Sequence, residues 1–333
     1  MTQGLVSVIT PVRDEAAHLR ETAATILGQD WPSVEILFVD GGSRDGSREL
    51  LQELASRDDR VRVLENPAGD LGSALAIGLA AARGEFVAKL DAHTFFPPAY
   101  LRIGVERLRR GDVEWVSGPP VPEGLDPTSR RVALALGTWL GVGGSSKWAA
   151  QDEIELDTGV FSGVWRRDVL LGFGGWDPDW PVNEDAELAS RFLAAGERIV
   201  CVPAMGARYV PRGSLRGLFR QYWRYGFYRA KTAGRHPDSL RRSQMLSPAL
   251  VTAFAVFALG GRPGRRLAGP ALAAYAGTLA LTGATTARGP DAALLPPVYA
   301  AMHLGWGSGF IAGCVRFGIP TRALATLLRR ERP

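Results

Sequence analysis

Short aliphatic runs alternate with helical periodicities through the first two-thirds of the chain. Residues 6–10 (VSVIT), 35–39 (EILFV), 61–64 and 85–90 read as strands, because β-branched and aromatic residues cluster there between Gly, Pro and Asp. Between them, 15–27, 47–56 and the Ala-rich 71–82 carry apolar residues at helical spacing. This alternation predicts an α/β fold, a mostly parallel sheet covered by helices on both faces. Ligands of such sheets lie beyond the carboxyl ends of the strands, and Pro11, Asp40 and Asp91 all fall at that edge.

The pattern changes near Ser247. From there on Asp291 and Glu331 are the only acidic residues, and three apolar runs follow, 248–261, 267–285 and 292–315. A spanning helix needs roughly 20 apolar residues. The last two runs are therefore expected to span a membrane, and the first to be re-entrant, interfacial, a third span or a core helix. The domain expectation is an α/β domain over 1–240 and a membrane-associated helical region over 241–333. Removing everything after about residue 242 should then leave the first domain folded. Charge favours two spans. They keep Arg262, Arg265 and Arg266 and the terminal Arg316, Arg322, Arg329, Arg330 and Arg332 on the side of the α/β domain, with only Arg288 and Asp291 across the bilayer. Residues 321–330, with Leu324, Leu327 and Leu328 opposite arginines, are expected to lie on the inner surface as an amphipathic helix.

Length and composition limit the remaining possibilities. A chain of 333 residues holds a core domain plus an appendage. Two distant cysteines, Cys201 and Cys314, make no disulfide framework, which suits a reducing compartment. The start, Met1-Thr2-Gln3-Gly4, has neither a basic nor an apolar leader segment, so no secretion signal is expected. The net charge of +5 comes from dispersed arginines, without a basic patch or reading motif, so no nucleic-acid partner is expected.

The chemistry concentrates in a few places. Asp91-Ala92-His93 closes an apolar strand with a carboxylate and an imidazole, a donor pair that leaves room for waters and diphosphate oxygens around a divalent cation. The alternative is a turn capped by Asp91 with His93 packed beside Phe95 and Phe96. Far downstream, Asn183-Glu184-Asp185 offers an acidic pair able to supply a base; the alternative is a helix start capped by Asn183, with Glu184, Asp185 and Glu187 favoured by the helix dipole. A dinucleotide-binding fold is disfavoured, because the first strand is followed by Thr10-Pro11-Val12-Arg13-Asp14-Glu15 and not by a glycine fingerprint. Glycines instead follow the second strand, in Asp40-Gly41-Gly42-Ser43-Arg44-Asp45-Gly46-Ser47. This is either a strand-to-helix turn capped by Asp45 or Ser47, or a site where Asp40 accepts a hydrogen bond from a base or ribose.

Seven segments in order, PVRDE, VDGGSRDGS, DAH, FSGVWRR, GGWDPDW, NEDAEL and QYWRY, cover roughly residues 6–229. Together they resemble a family 2 glycosyltransferase of the GT-A fold, in its bacterial exopolysaccharide, succinoglycan-type branch, where D-A-H replaces the usual D-x-D. The resemblance implies an inverting transferase that uses a nucleotide-activated sugar, a UDP-sugar by first expectation. It places Pro11, Arg13, Glu15 and Asp40 in the nucleoside pocket, with Asp91 and Gly163 also against the nucleotide sugar. It makes Asp91 and His93 the ligands of a divalent metal, and the imidazole favours Mn²⁺ over Mg²⁺. Asp185 is the expected general base, with Glu184 orienting it or meeting the acceptor. Gln221, Arg224 and Tyr225 resemble a Q-x-x-R-W motif with Tyr for Trp, apt for acceptor or diphosphate oxygens. The same helix also reads as interfacial, since Arg216, Arg220, Arg224 and Arg229 alternate with aromatics.

The function expected from this reading is sugar transfer to a lipid-linked saccharide, on a polyprenyl-diphosphate carrier, in bacterial polysaccharide synthesis. The catalytic domain should lie on the cytoplasmic side of the inner membrane, in contact with its lipids. The competing class is a non-catalytic nucleotide-sugar-binding scaffold of a polysaccharide-assembly complex, and turnover of donor by purified protein separates the two.

Overall fold

Residues 4–148 and 150–329 are described by the computed structural model; Met1–Gln3, Arg330, Glu331 and Arg332 among the residues discussed above lie outside them. The strands are β1 (Val6–Val12), β2 (Val34–Asp40), β3 (Val61–Glu65), β4 (Phe86–Lys89), β5 (Thr94–Phe95), β6 (Trp115–Ser117), β7 (Pro120–Pro122), β8 (Ile154–Glu155), β9 (Gly163–Arg166), β10 (Ile199–Cys201) and β11 (Ala207–Tyr209). The helices of the first half are α1 (Ala16–Leu27), α2 (Ser47–Arg57), α3 (Leu71–Ala81), α4 (Tyr100–Leu108), α5 (Pro127–Leu136), α6 (Trp139–Val142), α7 (Arg167–Gly172) and α8 (Glu184–Ala194). Those of the second are α9 (Leu215–Arg235), α10 (Leu246–Leu259), α11 (Gly261–Thr286), α12 (Pro290–Phe317) and α13 (Thr321–Arg329).

The chain divides into two compact units. The first comprises 1–121 and 146–209, the second 122–145 and 210–333, so the chain passes between them three times. The sequence boundary near 240 does not coincide with this division. α9, which composition groups with the α/β domain, packs with the C-terminal helices, as does the inserted segment 122–145.

In the first unit an eight-stranded sheet has the order β3-β2-β1-β4-β9-β6-β10-β8, beside a three-stranded sheet β5-β11-β7. The first four strands are parallel, as alternation predicts, but β9 runs antiparallel between β4 and β6, and β8 is antiparallel to β10, so the sheet is mixed. Both faces are buried. Val6, Val8, Ile36, Phe38, Phe86 and Ala88 join one apolar cluster, while Ile9, Leu37, Val39 and Val87 join another. That period of two is what a strand covered on both sides imposes. β1 has β2 on one side and β4 on the other, so the order reverses there, and in open α/β sheets ligands bind at the carboxyl ends beside such a reversal.

The second unit is helical. α12 lies along α9 through a glycine stripe: a methyl group at Gly305, Gly309 or Gly313 would run into the backbone carbonyl of Phe219, Trp223 or Phe227. Gly226 of α9 meets the Trp306 carbonyl in the same way. Small residues at a spacing of four allow this close approach. The inserted segment is fixed to the same helices by Arg131 on Asp291 (2.8 Å), by Thr138 and the Tyr299 hydroxyl (3.2 Å), and by His303 at the Leu140 carbonyl (3.0 Å). Two helical stretches, Arg242–Leu259 and Gly261–Thr286, are long and apolar enough to cross a membrane by length and composition. α12, on which the span expected over 292–315 falls, does not reach that measure. Pro296, Pro297 and its glycines dilute it, and Leu295, Val298, Tyr299, Met302 and Phe310 are buried in protein. The apolar face expected to put α13 on a membrane is also partly covered, with Ala323 and Leu327 buried against Ala230, Ala233, Leu240 and Phe310, while Leu328 is exposed.

Candidate active site

The first two motifs hold each other. Glu15, at the N-cap of α1, gives no side-chain cap, so the first N–H groups of this helix need acceptors from elsewhere. The glycine-rich turn supplies them: Asp14 N–H donates to Ser43 Oγ (3.0 Å), Glu15 N–H to Ser47 Oγ (2.9 Å) and Ala16 N–H to Asp45 Oδ2 (2.9 Å). Arg44 N–H returns a bond to Asp14 Oδ1 (2.8 Å). Asp45 also accepts from the Ser47 hydroxyl (2.6 Å) and backbone (3.0 Å). The Ser47 hydroxyl bond, ahead of the backbone N–H groups, holds the Asp45 carboxyl below the ordinary carboxylate range. The capping role expected of Asp45 and Ser47 is therefore real, but it serves α1 as well as their own turn.

This arrangement places the residues expected around a nucleoside. Pro11 lies on β1 opposite Val39, and Val12 pairs with Asp40. Asp40 is buried, with Oδ1 accepting from Ser43 N–H (3.2 Å) and Oδ2 lacking a hydrogen-bond partner among the described residues. A buried carboxylate oxygen left unsatisfied costs free energy that a ligand N–H or O–H would recover. Arg13 donates to the Gly69 carbonyl across the same edge. Asp14 has φ +54° and Asn183 φ +64°, the only non-glycine residues in the left-handed region among those described, and each lies inside one of the motifs. Such strain persists where surrounding contacts over-determine the backbone.

Lys89 stands at the centre of the acidic cluster. Strand alternation puts it on the Val87 face, where its ammonium is 2% exposed and donates to Glu184 Oε1 (2.9 Å) and to the Phe161 carbonyl, 3.4 Å from Asp91 Oδ1. Burial alone would lower its pKa, but the carboxylates of Asp91, Glu184 and Asp185 outweigh that and hold it above the usual lysine value. Glu184 is pushed upward by its burial, with Asp185 and Asp91 adding to the shift against the opposing pull of Lys89. Asp91 and Glu184 thus share one cation, whose charge Asp185 also feels. Asp185, half-buried, directs Oδ1 to the N–H of Ala186 (2.8 Å) at the start of α8. Asn183 occupies the N-cap position, but its side chain makes no cap bond, so the simple capping alternative does not hold. Further along α8, buried Glu187 grips Arg191 (2.7–3.0 Å), which donates to the carbonyls of Phe173 and Gly175 and so ties the GGWDPDW loop to this helix.

His93 turns Nδ1 toward Glu15 Oε1 (3.3 Å) and sets its ring edge-on to Tyr209 (6.2 Å). Glu15 therefore faces the imidazole. Among the described residues no three His, Cys, Asp or Glu side chains converge as a metal cage. An ion shared with a diphosphate needs only one or two carboxylates, with waters and phosphate oxygens completing its shell. The surplus negative charge around Lys89 fits such an ion at Asp91. Gly163 pairs with Lys89 across β4 and β9, and a Cβ there would collide with the Trp115 indole, so packing alone demands glycine.

Gln221, Arg224 and Tyr225 lie in the second unit on α9. Gln221 donates to the Tyr225 hydroxyl (3.1 Å), and Arg224 is exposed in line with Arg216 and Arg220. Two residues central to the first unit's site escaped sequence reasoning. Lys89 carried a signal, a lone cation inside a buried strand two residues before Asp91. Arg191 carried only its spacing of four from Glu187.

Comparison with known proteins bears on the family and the fold. Residues 7–171 match the family described as glycosyl transferase family 2. The chain is 30% identical over 312 residues to the succinoglycan biosynthesis protein ExoA of Rhizobium meliloti, covering 91% of this chain and 93% of that protein. It is 40% identical over 115 residues to the undecaprenyl-phosphate 4-deoxy-4-formamido-L-arabinose transferase of Pseudomonas aeruginosa, about a third of each chain (32% and 33%). Among solved structures, the mannosyltransferase PcManGT of Pyrobaculum calidifontis, in complex with GDP-Man and Mn²⁺, superposes with a TM-score of 0.55 at 23% identity, over 100% of this chain and 89% of that one. Ordered motifs, a GT-A-like sheet and similarity along nearly the whole length lead to one conclusion: the chain belongs to glycosyl transferase family 2.

Proposed function

We propose that this protein is a membrane-associated, inverting glycosyltransferase that moves a sugar from a nucleotide diphosphate donor, UDP-linked by first choice, to a polyprenyl-linked saccharide in polysaccharide assembly. The observation that carries the reading is the pairing of Asp91 and Glu184 with buried Lys89, next to Asp185, at the carboxyl edge of the sheet. Similarity to a succinoglycan biosynthesis protein and to an undecaprenyl-phosphate sugar transferase supports the pathway and the acceptor class. Two apolar helical stretches supply a means of holding to the bilayer that carries such an acceptor, and the cytoplasmic face is the side proposed for the first unit.

Asp185 takes the proton of the acceptor hydroxyl as its oxygen attacks the anomeric carbon. The bond from that carbon to the diphosphate oxygen breaks, and the diphosphate leaves with the electron pair. Single displacement inverts the anomeric centre. Asp40, with its open buried oxygen, recognises the nucleoside, and Pro11, Arg13 and Gly163 shape the donor cleft. Glu184 fixes the approach of Asp185. Asp91 and His93 would hold a divalent ion, Mn²⁺ in preference to Mg²⁺, which supplies charge neutralisation for the leaving diphosphate. On the second unit Gln221, Arg224 and Tyr225 present to acceptor or diphosphate oxygens.

The deciding experiment is a screen of nucleotide sugars with purified full-length protein and a pool of lipid-linked acceptors, with mass detection of the extended product and NMR of its new linkage. A product of inverted configuration whose formation stops in chelator is expected. Tight donor binding with no turnover of any donor would instead favour the scaffold.

A further inference from the structure

Lys89 is the one charged residue in β4, and it links the strand edge carrying Asp91 to the helix carrying Asp185 through Glu184. Its ammonium makes three polar contacts, to Glu184 Oε1, to the Phe161 carbonyl and to Asp91 Oδ1, while side-chain exposure is only 2%. Removing a lysine from water costs several kcal/mol unless its partners recover the loss. A pair of apolar residues in place of Lys89 and Glu184 would fill the space without that cost, so a cation at this point has a use beyond packing.

The geometry suggests what the use is. Asp91 follows β4, and Glu184 opens α8 beside Asp185. These segments come from parts of the chain nearly a hundred residues apart (95 between Lys89 and Glu184), and their carboxylates repel. Without a cation between them the carboxylates of the acidic edge and the helix start would stand uncompensated, and a divalent ion would be drawn to all three. With Lys89 in place, Glu184 is engaged by an ammonium that cannot leave, and Asp91 is shared.

We propose that Lys89 is a positioning residue, a built-in counter-cation that fixes the spacing between Asp91 and the Glu184-Asp185 helix start and competes with the donor's metal for Asp91. The inference rests on the proposed function, in which Asp91 receives the metal and Asp185 the proton. Its consequence is a metal held loosely enough to depart with the nucleoside diphosphate after each turnover.

The test uses the purified full chain, with Mn²⁺ titrated alone and free ion followed by EPR, alongside transfer kinetics. Lys89→Met is expected to bind Mn²⁺ at least about tenfold more tightly, because a neighbouring positive charge is gone. Its kcat should fall about a hundredfold with a donor KM near that of wild type. Lys89→Arg keeps the charge and should keep wild-type Mn²⁺ affinity. A purely structural role predicts the opposite sign, weaker Mn²⁺ binding together with lost transfer. Should Lys89→Met not fold, the comparison is made in the Glu184→Gln background, which removes the unpaired buried carboxylate, and there too loss of Lys89 must tighten Mn²⁺ binding. Unchanged or weaker affinity in a folded variant overturns the inference. Wild-type protein that binds no Mn²⁺, or transfer that survives Asp185→Asn, instead overturns the underlying functional reading.

Discussion

Asp185 combines what a proton acceptor needs: a half-buried carboxylate at a helix start, beside a cation that steadies its neighbour and does not contact it directly. Asp185→Asn keeps the shape and removes the basic oxygen. Turnover is expected to fall at least about a hundredfold while donor binding changes by less than about twofold, measured by single-turnover kinetics and calorimetry. Near-normal transfer would remove Asp185 from the role. At the same scale, the residue types at the site were readable, and Asp91, Glu184 and Asp185 were marked by their motifs. Their mutual partner was not, because a lysine in a strand reads as an edge or an error until the sheet order places β9 beside β4 and α8 over both.

At the scale of elements, two devices can be tested separately. The first is the cap that the glycine-rich turn provides for α1. Asp45→Ala removes acceptors from Ala16 and Ser47 together, and about 1 kcal/mol of stability should go with them. Because the folded carboxyl is held below its ordinary value, its contribution is complete at neutral pH. It should be lost as pH falls from about 4 through that lower folded value. Denaturant unfolding of wild type and variant should therefore differ at pH 7 and converge in acid; a difference that grows in acid would refute the assignment. The second device is the glycine stripe between α9 and α12. Gly309→Leu drives a side chain into the Trp223 backbone, which cannot swing aside, and should cost about 3 kcal/mol. Gly277→Leu, in α11 with no atom within 4 Å of the new Cβ, is the control and should unfold like wild type.

For the whole molecule, the division into units changes what a truncation does. Composition suggests that a chain ending near residue 242 would keep its catalytic domain. The structure puts α5, α6 and α9 with α12, through Arg131 and Asp291, Thr138 and Tyr299, and the glycine stripe. Such a truncation strips partners from residues 122–145 and from α9, leaving apolar faces uncovered. The truncated protein is expected to aggregate or to elute as large oligomers in size-exclusion chromatography. A monomer that binds nucleotide with wild-type affinity would show that α9 and the insertion stand without α12.

Local order explains how much was legible in advance. Over residues 6–90 each strand and helix is short and strongly patterned, so β1 to β4 and α1 to α3 matched expectation within a residue or two at every end. The motifs at those ends are also local, which is why Asp40, Asp91 and the acidic pair could be named beforehand. Beyond residue 95 the decisive contacts are long-range. β9 enters the sheet against the direction of β4 and β6, a choice made by packing Gly163 beneath Trp115 and not by any periodicity. α12 reads as a membrane span because a helix buried in protein and a helix buried in lipid select the same apolar residues; only its partner α9, with arginines on its exposed side, separates the two. Sequence alone determined the fold class, the family and the chemical types at the site. Tertiary structure decided which carboxylates share Lys89, what caps α1 and where one unit ends, since each depends on a pairing between residues far apart in the chain.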